Sequence, residues 1–145
     1  MKTVTYRDGS NYRYQLAVDY EIKIKPLTNC NVKTPDTHHF ISLTKDGDLT
    51  IKAGYAWDGA SGPAVNTKNF VRGSLVHDAL YQLMRAGKVN RSKHRGYADN
   101  LLREICQEDG MSRFRSWYVL KAVKTFGGPS AEPGTGRERA LYVAP

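Results

Sequence analysis

The residues whose types and spacing best suit chemistry are His77, Asp78, Tyr81 and, further along the chain, Asp99. An imidazole can take a proton from water near neutral pH, so His77 is the candidate general base. Tyr81 follows one helical turn later and shares the same face of a predicted helix. Asp99 falls on an inward stripe of the next predicted helix, where a carboxylate needs a partner to offset its desolvation. Antiparallel pairing of the two helices would bring Asp99 to His77 as the group that orients the ring.

A glycine-rich segment upstream predicts a cation site. Residues 54–63 read Gly-Tyr-Ala-Trp-Asp-Gly-Ala-Ser-Gly-Pro, so the backbone can turn sharply and expose its carbonyl groups. Asp78 is rotated about 100° from His77 on an ideal helix, which suits it to a separate task. Asp58 and Asp78, with carbonyls and water, would hold a hard cation such as Ca²⁺ that polarises an ester or amide carbonyl. The loop and supporting residues of this predicted site are Trp57, Gly59, Ser61 and Arg95.

A purely structural interpretation of these residues competes with the catalytic one. In that interpretation Asp58 caps a turn and His77 is a hydrogen-bonded core histidine. Asp78 would then pair with Arg72 or Arg95. The catalytic hypothesis rests on the set as a whole, because few proteins need all of these residues merely to fold.

Composition describes an ordinary globular chain with excess positive charge. The 145 residues are 40% hydrophobic and 25% charged, with a net charge of +8. This charge favours an anionic neighbour such as nucleic acid, a lipid surface or an acidic protein, although it also serves solubility. Two distant cysteines, Cys30 and Cys106, argue against a disulfide framework and indicate a reducing compartment. We expect no transmembrane segment and no signal peptide, and the chain contains no nucleotide-binding fingerprint.

The N-terminal third has strand periodicity. From Tyr12 to Ile24, alternate residues are apolar, Val18 among them, which predicts a half-buried strand or a bent pair of strands. Segments 40–43 and 49–51 flank Lys-Asp-Gly-Asp, which is typical of a hairpin. Residues 29–39 show no regular period and are predicted to form a loop.

Three helices are predicted after the strands. The first runs from about Asn69 to Met84, and the second from about Ser92 to Glu108. Ser112 caps the third, which ends near Gly127. The third helix is expected to pack through Phe114, Trp117, Tyr118, Val119, Leu120 and Val123.

These elements predict an α+β fold in which an N-terminal antiparallel sheet packs on a bundle of about three helices. Residues 1–128 would form one domain. Residues 129–145 are rich in Gly, Pro and charge and would be an extended tail. Its apolar end, residues 140–143, makes the tail either a flexible remnant or an arm that grips a neighbouring subunit.

The motifs and their order resemble an uncharacterised family of short phage and prophage proteins. The matching residues are Trp-Asp-Gly-Ala-Ser-Gly-Pro at 57–63, His-Asp-Ala-Leu-Tyr at 77–81, Arg95 and Ala98-Asp99. This resemblance covers about residues 14–128. It implies a tailed-phage origin. We therefore expect synthesis in the host cytoplasm, with association with the virion as a further hypothesis.

A more distant resemblance is to the small secretory phospholipases of bacteria and fungi. It rests on Asp-Gly-x-Ser-x-Pro, then His-Asp-x-x-Tyr, then an aspartate on the next helix, and covers about residues 58–102. The resemblance implies that His77 is the base and Asp99 its orienter. It also implies that Asp58 and Asp78 hold Ca²⁺, while Tyr81 supports the network.

The leading hypothesis is therefore a phage-encoded hydrolase-like protein acting at the host envelope, on a lipid ester or, second, on peptidoglycan. The alternative is a non-catalytic virion component, a small tail or capsid-associated protein that contacts other virion proteins. Basic and aromatic residues of the third helix, such as Arg113, Lys121 and Trp117, would contact nucleic acid or an anionic membrane. Their other interpretation is the solvated side of an amphipathic helix.

Overall fold

A computed structural model describes residues 3–8, 12–28, 40–59 and 67–126. They form antiparallel strands followed by three helices, which confirms the predicted α+β class. The chain divides into a strand unit that ends at Asp58 and a helical unit that begins at Gly59. The loop predicted at residues 29–39 and the tail predicted at residues 129–145 lie outside the described residues. The single domain and the docking arm therefore stay predictions.

The strand unit contains two three-stranded antiparallel sheets with orders β1-β2-β6 and β3-β5-β4. Its strands are β1 (Tyr6–Asp8), β2 (Tyr14–Leu16), β3 (Tyr20–Lys23), β4 (Ile41–Leu43), β5 (Asp48–Ile51) and β6 (Ala56–Trp57). Tyr14 pairs with Trp57 across β2 and β6, and their rings lie 5.3 Å apart, with Tyr6 packed edge-on against Tyr14 at 5.2 Å. Aromatic cross-strand pairs of this kind stabilise short sheets.

The predicted hairpin is present as β4 and β5. Gly47 in its turn has φ of 94°, and a Cβ atom there would collide with the carbonyl oxygen of Ile24. Only glycine relieves both constraints, because it has no Cβ and adopts positive φ without steric cost. The Lys-Asp-Gly-Asp signal therefore marks both a turn and a close approach between backbone segments.

The alternating segment from Tyr12 to Ile24 forms a broken pair rather than one strand. β2 and β3 belong to different sheets, and the prediction that Val18 faces the core is wrong because its side chain is 54% exposed. The Asp19 carboxylate holds the break by accepting hydrogen bonds from the Ala53 amide at 2.8 Å and the Lys52 ammonium at 2.8 Å. Even-numbered residues such as Leu16 and Tyr20 are buried on both sides of the break, so the alternation continues through it and only Val18, at the break itself, is exposed.

The three helices are α1 (Lys68–Arg85), α2 (Arg91–Glu108) and α3 (Arg113–Phe126), all within about one residue of the predicted limits. Asn90 caps α2 by accepting from the Lys93 amide at 2.9 Å, and Ser112 caps α3 by accepting from the Arg115 amide at 3.2 Å. Side-chain oxygens at these positions satisfy amides that the first helical turn leaves unpaired. Among the described residues, no helix is both long and apolar enough to cross a membrane.

Helices α1 and α2 run antiparallel and approach closely at Gly73. A Cβ atom at Gly73 would lie 2.9 Å from both the Cys106 Sγ and the Leu102 Cδ1 atoms. One residue earlier, the buried Arg72 guanidinium donates to Asp109 at 3.0 Å and to Glu108 at 2.6 Å. These contacts fix the end of α2 beside the start of α1.

Helix α3 packs on α1 and α2 through Val119 and Val123, which join a cluster that includes Phe70 and Leu102. The expectation that its aromatic residues also pack inward is wrong, because those side chains are largely exposed. The exposed fractions are 76% for Phe114, 45% for Trp117 and 41% for Tyr118. The apolar residues of α3 therefore divide between two faces, of which one forms the core.

Replacing Gly73 with alanine should destabilise the protein by about 1–2 kcal/mol, because overpacking outweighs the gain in helix propensity. Gly96→Ala is the matched control, since Gly96 is an exposed residue of α2 where an added Cβ atom would meet no other atom within 4 Å. That change should stabilise the protein by up to about 1 kcal/mol. Urea unfolding of both variants checks the prediction, and equal effects would contradict the close helix approach.

Candidate active site

The site is built where the antiparallel pairing of α1 and α2 brings their midpoints together. His77 and Tyr81 lie one turn apart on α1, and both reach the Asp99 carboxylate on α2. His77 Nε2 lies 2.8 Å from Asp99 Oδ1, and the Tyr81 hydroxyl donates to the same oxygen at 2.6 Å. The contact that the helical stripes predicted is therefore present.

Asp99 is the most deeply buried member of the group, with 1% of its surface exposed. An ionised carboxylate only accepts hydrogen bonds, so the Nε2 atom of His77 must carry a proton in this contact. In the neutral ring the lone pair then resides on Nδ1, the nitrogen that faces away from Asp99. The geometry thus selects the tautomer that a base acting through Nδ1 requires.

The other edge of the His77 ring faces Asp78. The Nδ1 atom lies 3.8 Å from Asp78 Oδ1, and the Asp78 side chain is 18% exposed, whereas that of His77 is 8% exposed. Burial lowers the His77 pKa, but hydrogen bonding and charge from Asp78 and Asp99 outweigh it and leave the pKa above its ordinary value. The two carboxylates therefore favour the imidazolium form.

Tyr81 supports Asp99 as a permanent hydrogen-bond donor. Burial and the hydrogen bond to Asp99 raise the Tyr81 pKa well above its usual range, although the hydrogen bond from Arg95 opposes this shift. The phenol therefore stays protonated at neutral pH. Its ring also packs against the imidazole, with ring centroids 4.0 Å apart, which restricts the orientation of His77.

Arg95 extends the network to the third helix. Its Nε atom donates to the Tyr81 hydroxyl at 3.2 Å and lies 3.9 Å from Asp99 Oδ2. Its Nη2 atom donates to the carbonyl of Lys124 at 2.8 Å, in the last turn of α3. Carbonyls in a last helical turn lack partners within their helix and attract cations. Sequence analysis placed Arg95 near the site but missed this link, because a backbone acceptor leaves no sequence signal.

The loop residues predicted for the site are only partly described. Trp57 is fully buried in β6 of the strand unit and Asp58 ends that unit, whereas Asp78 belongs to α1. Gly59 has φ of 76°, and Ser61 lies outside the described residues. Within the described ranges, no group of three or more His, Cys, Asp or Glu side chains is placed to hold a metal ion. The calcium site, which would combine two carboxylates with backbone carbonyls and water, stays a prediction.

The motifs of this site lie within a recognisable family. A family model described as "Protein of unknown function (DUF1353)" matches residues 37–123, more than half of the chain. The chain belongs to this family. The match runs from before β4 into α3 and includes His77, Tyr81, Arg95 and Asp99. No curated protein and no solved structure matches the chain.

The raised pKa of His77 makes folding stability depend on pH. Protonation favours the folded state, so this contribution is fully present below the unfolded value of about 6.5 and is lost as pH rises through the folded pKa. The stability difference between the wild type and His77→Asn should therefore shrink as pH rises from about 6.5 through the elevated folded pKa of His77.

Urea unfolding at several pH values measures this difference. His94→Asn provides the control, because His94 is also a buried histidine, 8% exposed, but lies in α2. A wild-type advantage over His77→Asn that grows with pH would contradict the charge arrangement around the ring.

Proposed function

We propose that the chain is a hydrolase in which His77 is the general base and Asp99 orients it. The observation that carries this proposal is the 2.8 Å contact between His77 Nε2 and Asp99, which leaves Nδ1 as the basic nitrogen. The proposed substrate is a lipid ester of the host envelope, and a peptidoglycan bond is second. A tailed-phage origin, with synthesis in the host cytoplasm, is part of the same proposal.

The proposed reaction uses the His77 ring and the Asp99 carboxylate of the chain, together with a water molecule and the substrate ester. Neutral His77 takes a proton from water through Nδ1, and the water oxygen attacks the carbonyl carbon of the ester. The imidazolium then returns that proton to the departing alcohol oxygen, so acid and alcohol are the products. Asp99 accepts the hydrogen bond from Nε2–H throughout. A positioned base of this kind contributes roughly 10²–10⁴-fold to rate.

Asp78 contributes charge next to the nitrogen that titrates. Its carboxylate stabilises the imidazolium that forms when Nδ1 takes the proton. Tyr81 and Arg95 are positioning residues, since they act on Asp99 rather than on the substrate. Calcium bound by Asp58 and Asp78 would supply carbonyl polarisation, but no step of this mechanism is assigned to it.

The second candidate is a non-catalytic component of the virion, a small tail or capsid-associated protein. One observation favours this candidate. A hydrogen-bond network links all three helices through His77, Tyr81, Asp99 and Arg95, and a network of this kind stabilises a helical unit without any catalysis. In this proposal the partners are other virion proteins. The basic charge and an arm formed by residues 129–145 would serve the assembly.

His77→Asn separates the two candidates. In the hydrolase, this variant should lose at least about a hundredfold in turnover, because asparagine does not accept a proton near neutral pH. Wild-type hydrolysis should rise with pH through the elevated His77 pKa, since only the neutral ring acts as a base. Release of acid from a soluble short-chain ester, phospholipid vesicles and peptidoglycan measures both effects.

His94→Asn is the control for this test and should retain turnover. A wild type that hydrolyses none of the three substrates, while His77→Asn loses about 1–3 kcal/mol of stability, would support the structural candidate instead. That cost is expected for a buried hydrogen-bonding group left imperfectly satisfied.

Calcium binding is tested separately by calorimetry. If Asp58 and Asp78 share a cation, the wild type should bind Ca²⁺ at up to about millimolar concentration, and Asp78→Asn should lose that binding. Asp46→Asn is a matched control, because Asp46 lies in the exposed β4–β5 turn. Absence of wild-type binding would remove the metal from the proposal without affecting the role of His77.

A further inference from the structure

Helix α3 has one exposed face on which aromatic and cationic side chains alternate. An α-helix turns by about 100° per residue, so one arc of about 140° contains positions 113, 114, 117, 118, 121, 124 and 125. Every one of them is exposed. They are Arg113, Phe114, Trp117, Tyr118, Lys121, Lys124 and Thr125, and we call this set the α3 outer face.

The opposite face of α3 already provides its packing. Val119 is 1% exposed and Leu120 is 8% exposed, and Val123 lies against the helical core. Buried Ser116 also accepts a hydrogen bond from Gln107 of α2 at 2.8 Å. The α3 outer face is therefore not needed for attaching the helix to its unit.

Exposure of the three rings is costly in water and needs a reason. Phe114 has no polar atom on its side chain, yet it is 76% exposed. Covering a phenylalanine or tryptophan side chain with an apolar phase is worth about 1.5–3 kcal/mol each. Trp117 and Tyr118 add rings with one polar atom, the composition typical of side chains at a membrane–water interface.

Charge on α3 selects an anionic partner. The helix contains Arg113, Arg115, Lys121 and Lys124 and no acidic residue, in a chain of net charge +8. Aromatic side chains beside lysine and arginine on one helix face are the pattern of helices that lie in the headgroup region of anionic bilayers. Long lysine side chains reach the phosphate level while the rings enter the acyl boundary.

The arrangement of the rings favours a bilayer over a nucleic acid. Single-stranded nucleic acid binds by stacking bases on open aromatic faces. Here the Lys121 ammonium lies over the Trp117 ring, 5.1 Å from its centroid, and covers one face of it. The neighbouring Phe114 ring is tilted by 34° relative to Trp117, so the two rings do not form a flat platform. Exposed rings that are tilted relative to each other and flanked by cations are better suited to insertion between headgroups.

We propose that the α3 outer face docks the protein onto an anionic lipid surface. Phe114, Trp117 and Tyr118 enter the interface, and Arg113, Lys121 and Lys124 contact the lipid phosphates. Docking does not depend on hydrolysis and stands whether or not His77 is a catalytic base. It would hold the helical unit, which contains the candidate site, at the surface where lipid esters are found.

The two tryptophans provide the readout. Trp57 is fully buried, whereas Trp117 is 45% exposed, so a blue shift of fluorescence on adding vesicles reports Trp117. The full-length protein is titrated with phosphatidylglycerol–phosphatidylcholine vesicles, with pure phosphatidylcholine vesicles and with a single-stranded oligonucleotide. We expect a blue shift and co-sedimentation with the first vesicles, weakened when salt rises from about 0.05 M to about 0.5 M.

Two double variants separate the contribution of the aromatic rings from that of the lysine charges. Phe114→Ser combined with Trp117→Ser should weaken co-sedimentation at least about tenfold, because two rings no longer leave water. Lys121→Gln combined with Lys124→Gln should remove most of the preference for anionic vesicles. The matched control combines Val18→Ser and Lys88→Gln, both exposed positions outside α3, and should bind as the wild type does.

Absence of vesicle binding, equal binding to pure phosphatidylcholine, or binding only to the oligonucleotide would overturn the docking proposal. So would equal losses in the α3 variants and the control. Hydrolysis of a soluble short-chain ester by the same variants distinguishes this failure from failure of the proposed function. Docking variants should retain soluble-ester turnover, while His77→Asn should retain vesicle binding.

Discussion

A buried carboxylate is the constraint on which the helical unit depends. Asp99 is almost completely withdrawn from water, and an ionised group in that position is tolerated only with a full set of partners. Its partners come from one turn of α1 and from Arg95, one turn earlier on α2. Removing the carboxylate would leave the imidazole and the phenol to find new partners within a packed interior.

The helix pair is fixed on both sides of this carboxylate. Toward one end, Gly73 lets α1 approach Leu102 and Cys106, and Arg72 engages Glu108 and Asp109. Toward the other, Arg95 joins Tyr81 to the final carbonyls of α3. A shift of either helix along its axis would break one set of contacts while loosening the other. The His77–Asp99 distance is therefore set by packing along the whole helix pair, as a preorganised site requires.

The positions of the helices and the His77–Asp99 contact were predictable because their signals are local. The cap at Ser112 marks a helix start directly, and residues four apart on one helix must share a face. Pairing between adjacent antiparallel helices then leaves little freedom for where Asp99 points.

Other features were not predictable because they depend on tertiary context. Apolar periodicity on α3 fits either face as the core, and the actual core uses Val119 and Val123 while Phe114 lies outside. Val18 lies where the chain leaves one sheet for another. It continues the alternation of apolar residues, but its side chain is exposed rather than buried. The acceptor of Arg95 is a backbone carbonyl, which any residue at position 124 would provide.

The protonation state of the His77 ring connects the structure to the proposed chemistry most directly. Nitrogen-15 NMR of the imidazoles, with His77→Asn to assign the signals, reports which ring nitrogen carries the proton at each pH. The account predicts that Nε2 stays protonated throughout, held by Asp99, while Nδ1 loses its proton as pH rises through an elevated pKa. A neutral ring that carries its proton on Nδ1 would contradict the account, because the nitrogen facing Asp99 would then have nothing to donate.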